Sequence, residues 1–352
     1  MSVLRLRVPG DKSLSHRALM VAALADGTST IDGLLPSADV RSTAGVLASL
    51  GVALPRTWDA AATVSVVGRG LRGLVPPTAP LDCGNSGTTV RLMAGIVAGH
   101  PMTATFVGDA SLSRRPMRRV ARPLAQMGAR FAFARDEGLP MTITGGALAP
   151  LRFVSPSASA QVKSALLLAG LVAGVPVRVD EPVRSRDHTE RLLASLGVSL
   201  AVDDDGVALS PVDRIAPLAL RIPADPSSAM FPIALALLLG VPLVAEGVLA
   251  NPTRTGALGV LTRMGATIAR ADDGTVGGEP VADLHVASGA RLRATAIGGA
   301  EVPSLIDELP MLACLAARVP GETVVADAGE LRVKESDRIA AVVANLRAIG
   351  AE

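Results

Sequence analysis

The stretch SALLLAGLVAGVPVRVD (164–180), followed by LLASLGVSL (192–200), decides the fold. Its first half is rich in Ala and Leu with no polar face, which predicts a helix buried on most of its sides. Its second half, VPVRVD, alternates in the manner of a strand. LLASLGVSL then reads as helix, glycine, strand, because glycine suits the left-handed position that ends a helix. Both halves recur along the chain. RALMVAALADG (17–27), RLMAGIVAG (91–99), FPIALALLLG (231–240) and MLACLAARVPG (311–321) repeat the first. VLASLGVAL (46–54), PLAQMGARF (123–131), VLTRMGATI (260–268) and NLRAIGAE (345–352) repeat the second. The stop glycines Gly51, Gly128, Gly197, Gly265 and Gly350 are separated by 77, 69, 68 and 85 residues. One such match would mean little, but an ordered alternation predicts an α/β chain built from repeated strand, buried helix, strand, amphipathic helix and strand units.

The 352 residues are enough for two domains, and 49% hydrophobic content with 19% charged residues excludes global disorder. Lys+Arg 34 against Asp+Glu 32 leaves +2, and aromatics are 2% with no Tyr, so a nucleic-acid partner is not expected. Cys83 and Cys314 lie far apart with no paired spacing, and His16, His100, His188 and His285 form no ligand motif, so neither a disulfide framework nor a metal site is expected. The opening MSVLRLRVPGDK has no apolar core of a secretory signal, and the longest apolar run, Met230 to Ala245, is shorter than a bilayer span and broken by Pro232, Gly240 and Pro242. That run is expected to be a buried helix followed by a strand, in a cytoplasmic protein without a membrane partner.

The loops that enter the apolar helices read PGDKSLSHR (9–17), DCGNSGTTVR (82–91), SASAQVKS (157–164), PADPSSAM (223–230) and SLIDELP (304–310). Ser, Thr, Asn and Asp there cap helices, and capping alone explains any one of them. Cations are another matter. Arginines crowd the second series of loops, PSADVRST (36–43), ASLSRRPMRR (110–119), RSRDHTER (184–191), NPTRTG (251–256) and RVKESDR (332–338). Stability alone would place cations at helix C-termini, so their position at N-termini points to bound phosphates or carboxylates. Among 34 basic residues only three are lysines, Lys12, Lys163 and Lys334, and each falls in such a loop. Lysine, unlike arginine, can shed a proton when its pKa is depressed. Asp307, Glu308 and Glu335 lie in the same kind of loop, where Asp307 is either an N-cap or a base and Glu335 either a dipole partner or a proton-transfer group.

Eight motifs, PGDKSLSHRALM, LDCGNSGTTVR, GDASLSRRPM, SAQVKSALLLAG, SRDHTE, DPSSAMF, IDELP and RVKESDR, resemble in order and spacing the signatures of the 5-enolpyruvylshikimate-3-phosphate synthase family. The resemblance runs the whole length. It implies two domains, each an inside-out α/β barrel of βαβαββ units in the enolpyruvyl transferase manner, residues 1–12 with 219–352 and residues 13–218, with the active site in the cleft between them. It implies transfer of the enolpyruvyl group of phosphoenolpyruvate to the 5-hydroxyl of shikimate 3-phosphate, with release of phosphate through a tetrahedral intermediate, on the route to chorismate and the aromatic amino acids. No metal or organic cofactor is implied, glyphosate is the expected inhibitor, and the family is usually monomeric.

Carried onto this sequence, the resemblance assigns Lys12, Ser13, Arg17, Ser159, Gln161, Arg186, Asp307 and Lys334 to shikimate 3-phosphate. It assigns Lys12, Asn85, Gly87, Thr88, Arg115, Gln161 and Arg338 to phosphoenolpyruvate. Asp307 is the expected base for the 5-hydroxyl, and Glu335 or Lys12 the acid for the methylene carbon. Two departures stand out. Ala160 replaces a Ser that some members carry, and a sixth repeat of the family, with an Asp-His-Arg motif and a later Lys, has no counterpart here. Turnover by this chain is therefore expected to be weak or absent. The sister UDP-N-acetylglucosamine enolpyruvyl transferases normally carry a loop Cys, which SLSRRPM lacks. A non-catalytic phosphate-binding scaffold is the reading from another class.

Overall fold

The computed structural model describes residues 3–351. The chain passes five times through the expected unit, the last pass being the shortest among the described residues. The first contains β1 (Leu4–Leu6), α1 (Lys12–Leu24), β2 (Thr28–Asp32), α2 (Ala38–Ser49) and β3 (Thr63–Val67). The second contains β4 (Leu81–Asp82), α3 (Gly87–Ala98), β5 (Thr103–Val107), α4 (Arg118–Gln126), β6 (Arg130–Phe133) and β7 (Met141–Thr144). The third runs through β8 (Leu151–Val154), α5 (Ala160–Ala173), β9 (Val177–Asp180), α6 (His188–Ser195), β10 (Leu200–Asp203) and β11 (Gly206–Leu209). The fourth is β12 (Ala219–Arg221), α7 (Pro226–Leu239), β13 (Leu243–Leu249), α8 (Gly256–Arg263), β14 (Ile268–Val276) and β15 (Glu279–Val286). The fifth is β16 (Ala296–Ile297), α9 (Leu309–Ala316), β17 (Val324–Val325) and α10 (Arg338–Ala348). All five stop glycines have φ between +79° and +116°, the left-handed region where a Cβ is strained.

One strand departs from expectation. After Gly51 the segment makes only an isolated bridge, Ala53 to Val67. Pro55 follows it and has no N–H to continue a ladder.

The second and third repeats each close a sheet of their own, ordered β4-β5-β7-β6 and β8-β9-β11-β10. The first and fourth exchange their leading strands. β1 pairs in parallel with β13, Leu4 opposite Leu243, and β12 pairs in parallel with β2, Ala219 opposite Thr30. This exchange divides the chain into two compact units, residues 12–222 and residues 1–11 with 223–352. Lys12 and residues 219–222 thus belong to the larger unit, a few residues away from the boundaries expected at 12/13 and 218/219. Pairing with β2 decides this for residues 219–221, because a strand belongs to the sheet that satisfies its backbone, while Lys12 opens α1.

In the larger unit the three apolar helices are buried nearly all round: Leu14 to Leu24 in α1, Thr89 to Ala98 in α3 and Val162 to Val172 in α5. Close approach is built into the sequence at Gly95, where a Cβ would stand 2.0 Å from the carbonyl oxygen of Ala165. The smaller unit has its own core, with Ile233, Leu237, Leu243, Val260, Leu261, Leu284, Leu305 and Leu312 fully or almost fully buried. Here the expectation of an all-round buried helix fails for α7. Met230 and Ile233 face the core, while Phe231 and Leu239 are each 65% exposed and Leu235 56%. Apolar composition gives a helix the capacity to be buried on every side, but burial also needs neighbours on every side. The main neighbours of α7 are β13, β15 and α9.

Lys163 does not join the expected set of anion-facing cations. It is inside α5, buried against Glu181 at 2.6 Å and Glu190 at 2.7 Å. Burial works against its charge, and Glu190 and then Glu181 outweigh that and raise its pKa. Two carboxylates share one ammonium, so the burial of Glu190 pushes its own pKa up. Lys163→Met should therefore cost about 3–5 kcal/mol at pH 7, read as a lower urea midpoint, because it strands two buried carboxylates. Relative to wild type at the same pH, the deficit should shrink toward pH 5 as the stranded carboxylates take up protons. An unchanged midpoint at pH 7 would show that the triad carries no net stabilisation.

Candidate functional site

Each unit gathers its own cluster of the expected residues. In the larger unit the N-terminal ends of five helices are tied together by side chains from their first two turns or the loops before them. Lys12, the first residue of α1, meets Asp39 in the first turn of α2 at 3.3 Å. Ser86 and Ser159 cap α3 and α5 through Thr89 N and Val162 N, so capping and cation placement coexist. His16 Nδ1 lies 2.7 Å from Thr43 Oγ1, which lies 2.7 Å from Thr89 Oγ1, and Thr89 donates to Ser86 Oγ at 2.7 Å. This buried chain joins α1, α2 and α3. On the other side of α1, Arg17 donates to Thr189 Oγ1 at 2.7 Å, to Ser164 Oγ at 2.9 Å and to the carbonyl of Ser13 at 3.0 Å, joining α1, α5 and α6.

The loop before α3 is stiffened from outside. Asp109 accepts from Leu112 N and from the Asn85 amide, and these two bonds, in that order, lead in holding its carboxyl below the usual range. Asn85 Oδ1 in turn accepts from Arg115, which is almost wholly buried. Gly87 has a steric reason to be glycine. An added Cβ would stand 2.7 Å from Arg91 Nη1 and 3.2 Å from Arg115 Nη1, so two guanidiniums come up against bare backbone at the start of α3. Gln161, in the first turn of α5, completes the group: its Oε1 accepts from Arg91 at 2.8 Å and from Arg119 at 3.4 Å, and its Nε2 donates to Thr88 Oγ1 at 3.1 Å.

Lys12, Asn85, Gly87, Thr88, Arg115 and Gln161 are thus held by one set of helix starts, together with Ser13, Arg17 and Ser159. Arg17 is buried, with Nε, Nη1 and Nη2 all donating to protein acceptors, so it braces Ser13, Ser164 and Thr189. Arg186 stands half-buried in the loop before α6, between buried Ser185 and the α6 start at His188. Arg91 is a residue that sequence reading passed over. Its signal was the four-residue spacing from Gly87, which puts both on one face of α3.

In the smaller unit, Asp307, Glu335 and Arg338 are one bonded group. Arg338, the first residue of α10, donates to Asp307 Oδ1 at 3.1 Å and to Glu335 Oε2 at 2.5 Å. Burial opposes the Arg338 charge, and Glu335 and then Asp307 overcome it, raising its pKa. Asp307 is not an N-cap: the residue before α9 is Glu308, whose side chain makes no cap bond. Asp337, not Glu335, caps α10 through Ala340 N at 3.0 Å. Lys334 is 3.7 Å from Glu330, a looser pair. Among the described residues no group of His, Cys, Asp and Glu is arranged to hold a metal ion. No described helix is long and apolar enough to cross a membrane.

Repeated α/β units whose helix N-termini carry guanidinium and ammonium groups, held by hydroxyl, amide, imidazole and carboxylate side chains, offer the positive charge that an anionic small molecule requires. A family model described as EPSP synthase (3-phosphoshikimate 1-carboxyvinyltransferase) matches residues 4–352. The chain belongs to the EPSP synthase family. It is 49% identical over 352 residues to a 3-phosphoshikimate 1-carboxyvinyltransferase of Herpetosiphon aurantiacus, covering 98% of this chain and 80% of that one. It is 51% identical over 347 residues to the protein of that name from Xanthomonas campestris, covering 98% and 78%. An EPSP synthase structure from Acinetobacter baumannii superposes with a TM-score of 0.87 at 39% identity, over 97% of this chain and 77% of that chain. The α/β fold class expected from the repeats is the one these relatives share.

His16 gives this site a titration signature. Burial first, then the charges of Lys12 and Arg17, push its pKa down to about 3. Between pH 6.5 and 3 the unfolded chain binds a proton that the folded chain refuses, so stability falls as pH drops through that window. From pH 7 to 5 this amounts to about 2 kcal/mol. A His16→Gln variant should lose less stability than wild type by about that amount over the same interval, measured by urea unfolding at the two pH values. Equal losses would refute the neutral, buried assignment.

Proposed function

We propose that this chain transfers the enolpyruvyl group of phosphoenolpyruvate to the 5-hydroxyl of shikimate 3-phosphate and releases inorganic phosphate. Family membership supports the reaction. The observation that carries the site assignment is the gathering of Lys12, Arg91, Arg115 and Arg119 about the starts of α1, α3 and α5, together with Gln161. Two polyanionic substrates repel one another, and fixed cations with oriented helix N–H groups offset that repulsion without reorganising during the reaction.

In this reading Ser13, Arg17, Ser159, Gln161, Arg186 and Lys334 serve shikimate 3-phosphate, while Asn85, Gly87, Thr88, Arg115 and Arg338 serve phosphoenolpyruvate. Lys12 reaches both. Asp307 takes the proton of the 5-hydroxyl as that oxygen bonds to C2 of phosphoenolpyruvate. Glu335 or Lys12 gives a proton to the methylene carbon, forming a tetrahedral adduct. Loss of a proton from that carbon and departure of phosphate then restore the carbon–carbon double bond. Arg338 supports this assignment by holding a carboxylate oxygen of both Asp307 and Glu335 in place. We also read the protein as a cytoplasmic monomer that glyphosate inhibits.

The UDP-N-acetylglucosamine reading is the weaker one. Cys83 is wholly buried, and burial, aided by Asp82, pushes its thiol far above the usual range, so it is no nucleophile. A phosphate-release assay with both substrates tests the proposal. Asp307→Asn should lower kcat about 10²–10⁴-fold while the dissociation constant of shikimate 3-phosphate, measured by calorimetry, stays within about threefold. Glyphosate should compete with phosphoenolpyruvate. Binding of shikimate 3-phosphate without any phosphate release by the wild-type chain would favour the scaffold reading instead.

A further inference from the structure

Arg254 belongs to none of the groups so far given a role, yet it is one of the most completely enclosed charges in the smaller unit. It stands in the loop before α8, and that loop is itself rigid. Asn251 donates to buried Glu279 at 2.8 Å, accepts from Thr253 N and Oγ1 at 2.9 and 2.8 Å, and its carbonyl accepts from Arg254 N at 2.8 Å. From this base the guanidinium reaches two other loops. Nη1 donates to Asp11 Oδ2 at 3.1 Å. Nη2 donates to Ser227 Oγ at 2.8 Å and lies 3.8 Å from Asp225, the N-cap of α7. The Ser227 hydroxyl passes the connection on by donating to Glu308 Oε1.

Both ends of this connection adjoin residues of the reaction. Asp11 is wholly buried and immediately precedes Lys12. Its backbone is held as well, Asp11 N donating to the carbonyl of Pro223 at 2.8 Å beside an antiparallel bridge of Gly10 with Ala224. Glu308 immediately follows Asp307. A buried guanidinium surrounded by three carboxylates is a poor device for stability, since apolar packing of the same volume commonly does as well. Its directional fork, however, fixes several acceptors at once, which a point charge or an apolar side chain cannot do.

We propose that Arg254 is a positioning residue for enolpyruvyl transfer: through Asp11, and through Ser227 and Glu308, it fixes the two loops that present Lys12 and Asp307. The proposal rests on the function assigned above, and its test has one arm that does not. Arg254→Lys keeps the charge and loses the fork, and Ser227→Ala removes only the arm toward Glu308. Both are assayed for steady-state turnover, and for amide hydrogen exchange in residues 9–12 and 305–309. Arg254→Lys should lower kcat at least about tenfold with both KM values within about threefold, because misplacing a reacting group affects the chemical step more than ground-state binding. Exchange should quicken in both segments and stay unchanged around the Lys163 triad. Ser227→Ala should quicken exchange in 305–309 alone, with a smaller loss of kcat.

Unchanged exchange at 305–309 in both variants overturns the proposal, as does a kcat within about twofold of wild type for Arg254→Lys. Faster exchange spread over the whole smaller unit also overturns it, since that marks a merely structural role. If the wild-type chain releases no phosphate, the assigned function falls, and the exchange pattern alone decides whether Arg254 ties the two loops.

Discussion

Helix starts that carry cations set the terms for the larger unit. The free N–H groups of a first turn already present partial positive charge, and Lys12, Arg17, Arg91, Arg115 and Arg119 add full charges to it. Such an arrangement opposes its own assembly unless it is held by groups that add no further positive charge. The holding groups are largely neutral or acidic: Thr43, Thr89, Ser86, Ser164, Thr189 and Gln161, with Asp39 beside Lys12 and Asp109 behind Asn85. His16 fits this logic because it stays uncharged, its pKa pushed down first by burial and then by the charges of Lys12 and Arg17. Hydroxyls supply direction without charge, which leaves the field available for a ligand.

A second constraint acts on the whole chain. The five repeats would each close on themselves if every leading strand paired with its own neighbours. The first and fourth instead exchange β1 and β12, and both chain crossings follow from that exchange. Asp11 and Pro223 are bonded to one another within the smaller unit at the point where the chain leaves it. The buried carboxylate of Asp11 needs a cation there, and Arg254 supplies one from a loop more than two hundred residues away in sequence.

Lys12 and Lys163 show how burial divides residues that look alike. Both lie in the first turn of an apolar helix, in a Ser-containing motif. Lys12, at the first helical position, keeps about half of its side chain in solvent beside the Asp39 carboxylate. Lys163 stands three residues further along its helix, facing inward, where an ammonium survives only if carboxylates accompany it. Arg17 and Arg115 are buried as well, and they donate to uncharged oxygens of Thr189, Ser164 and Asn85.

The sequence by itself determined whatever short-range chemistry dictates: the alternation of apolar and amphipathic helices, the five left-handed glycine stops, the serine and aspartate caps, and the motifs that set Lys12, Asn85, Gly87, Gln161, Asp307 and Arg338 at or just before helix starts. These are legible because capping, helix termination and motif spacing depend on residues a few positions apart. Only the tertiary structure decided that β1 and β12 change places, that α7 leaves an apolar face exposed while α1, α3 and α5 do not, that Arg91 stands beside Gly87 and Arg115, and that Lys163 and Arg254 are enclosed. Strand pairing, desolvation and the count of neighbours around a side chain depend on residues scores or hundreds of positions away, and no local pattern records them.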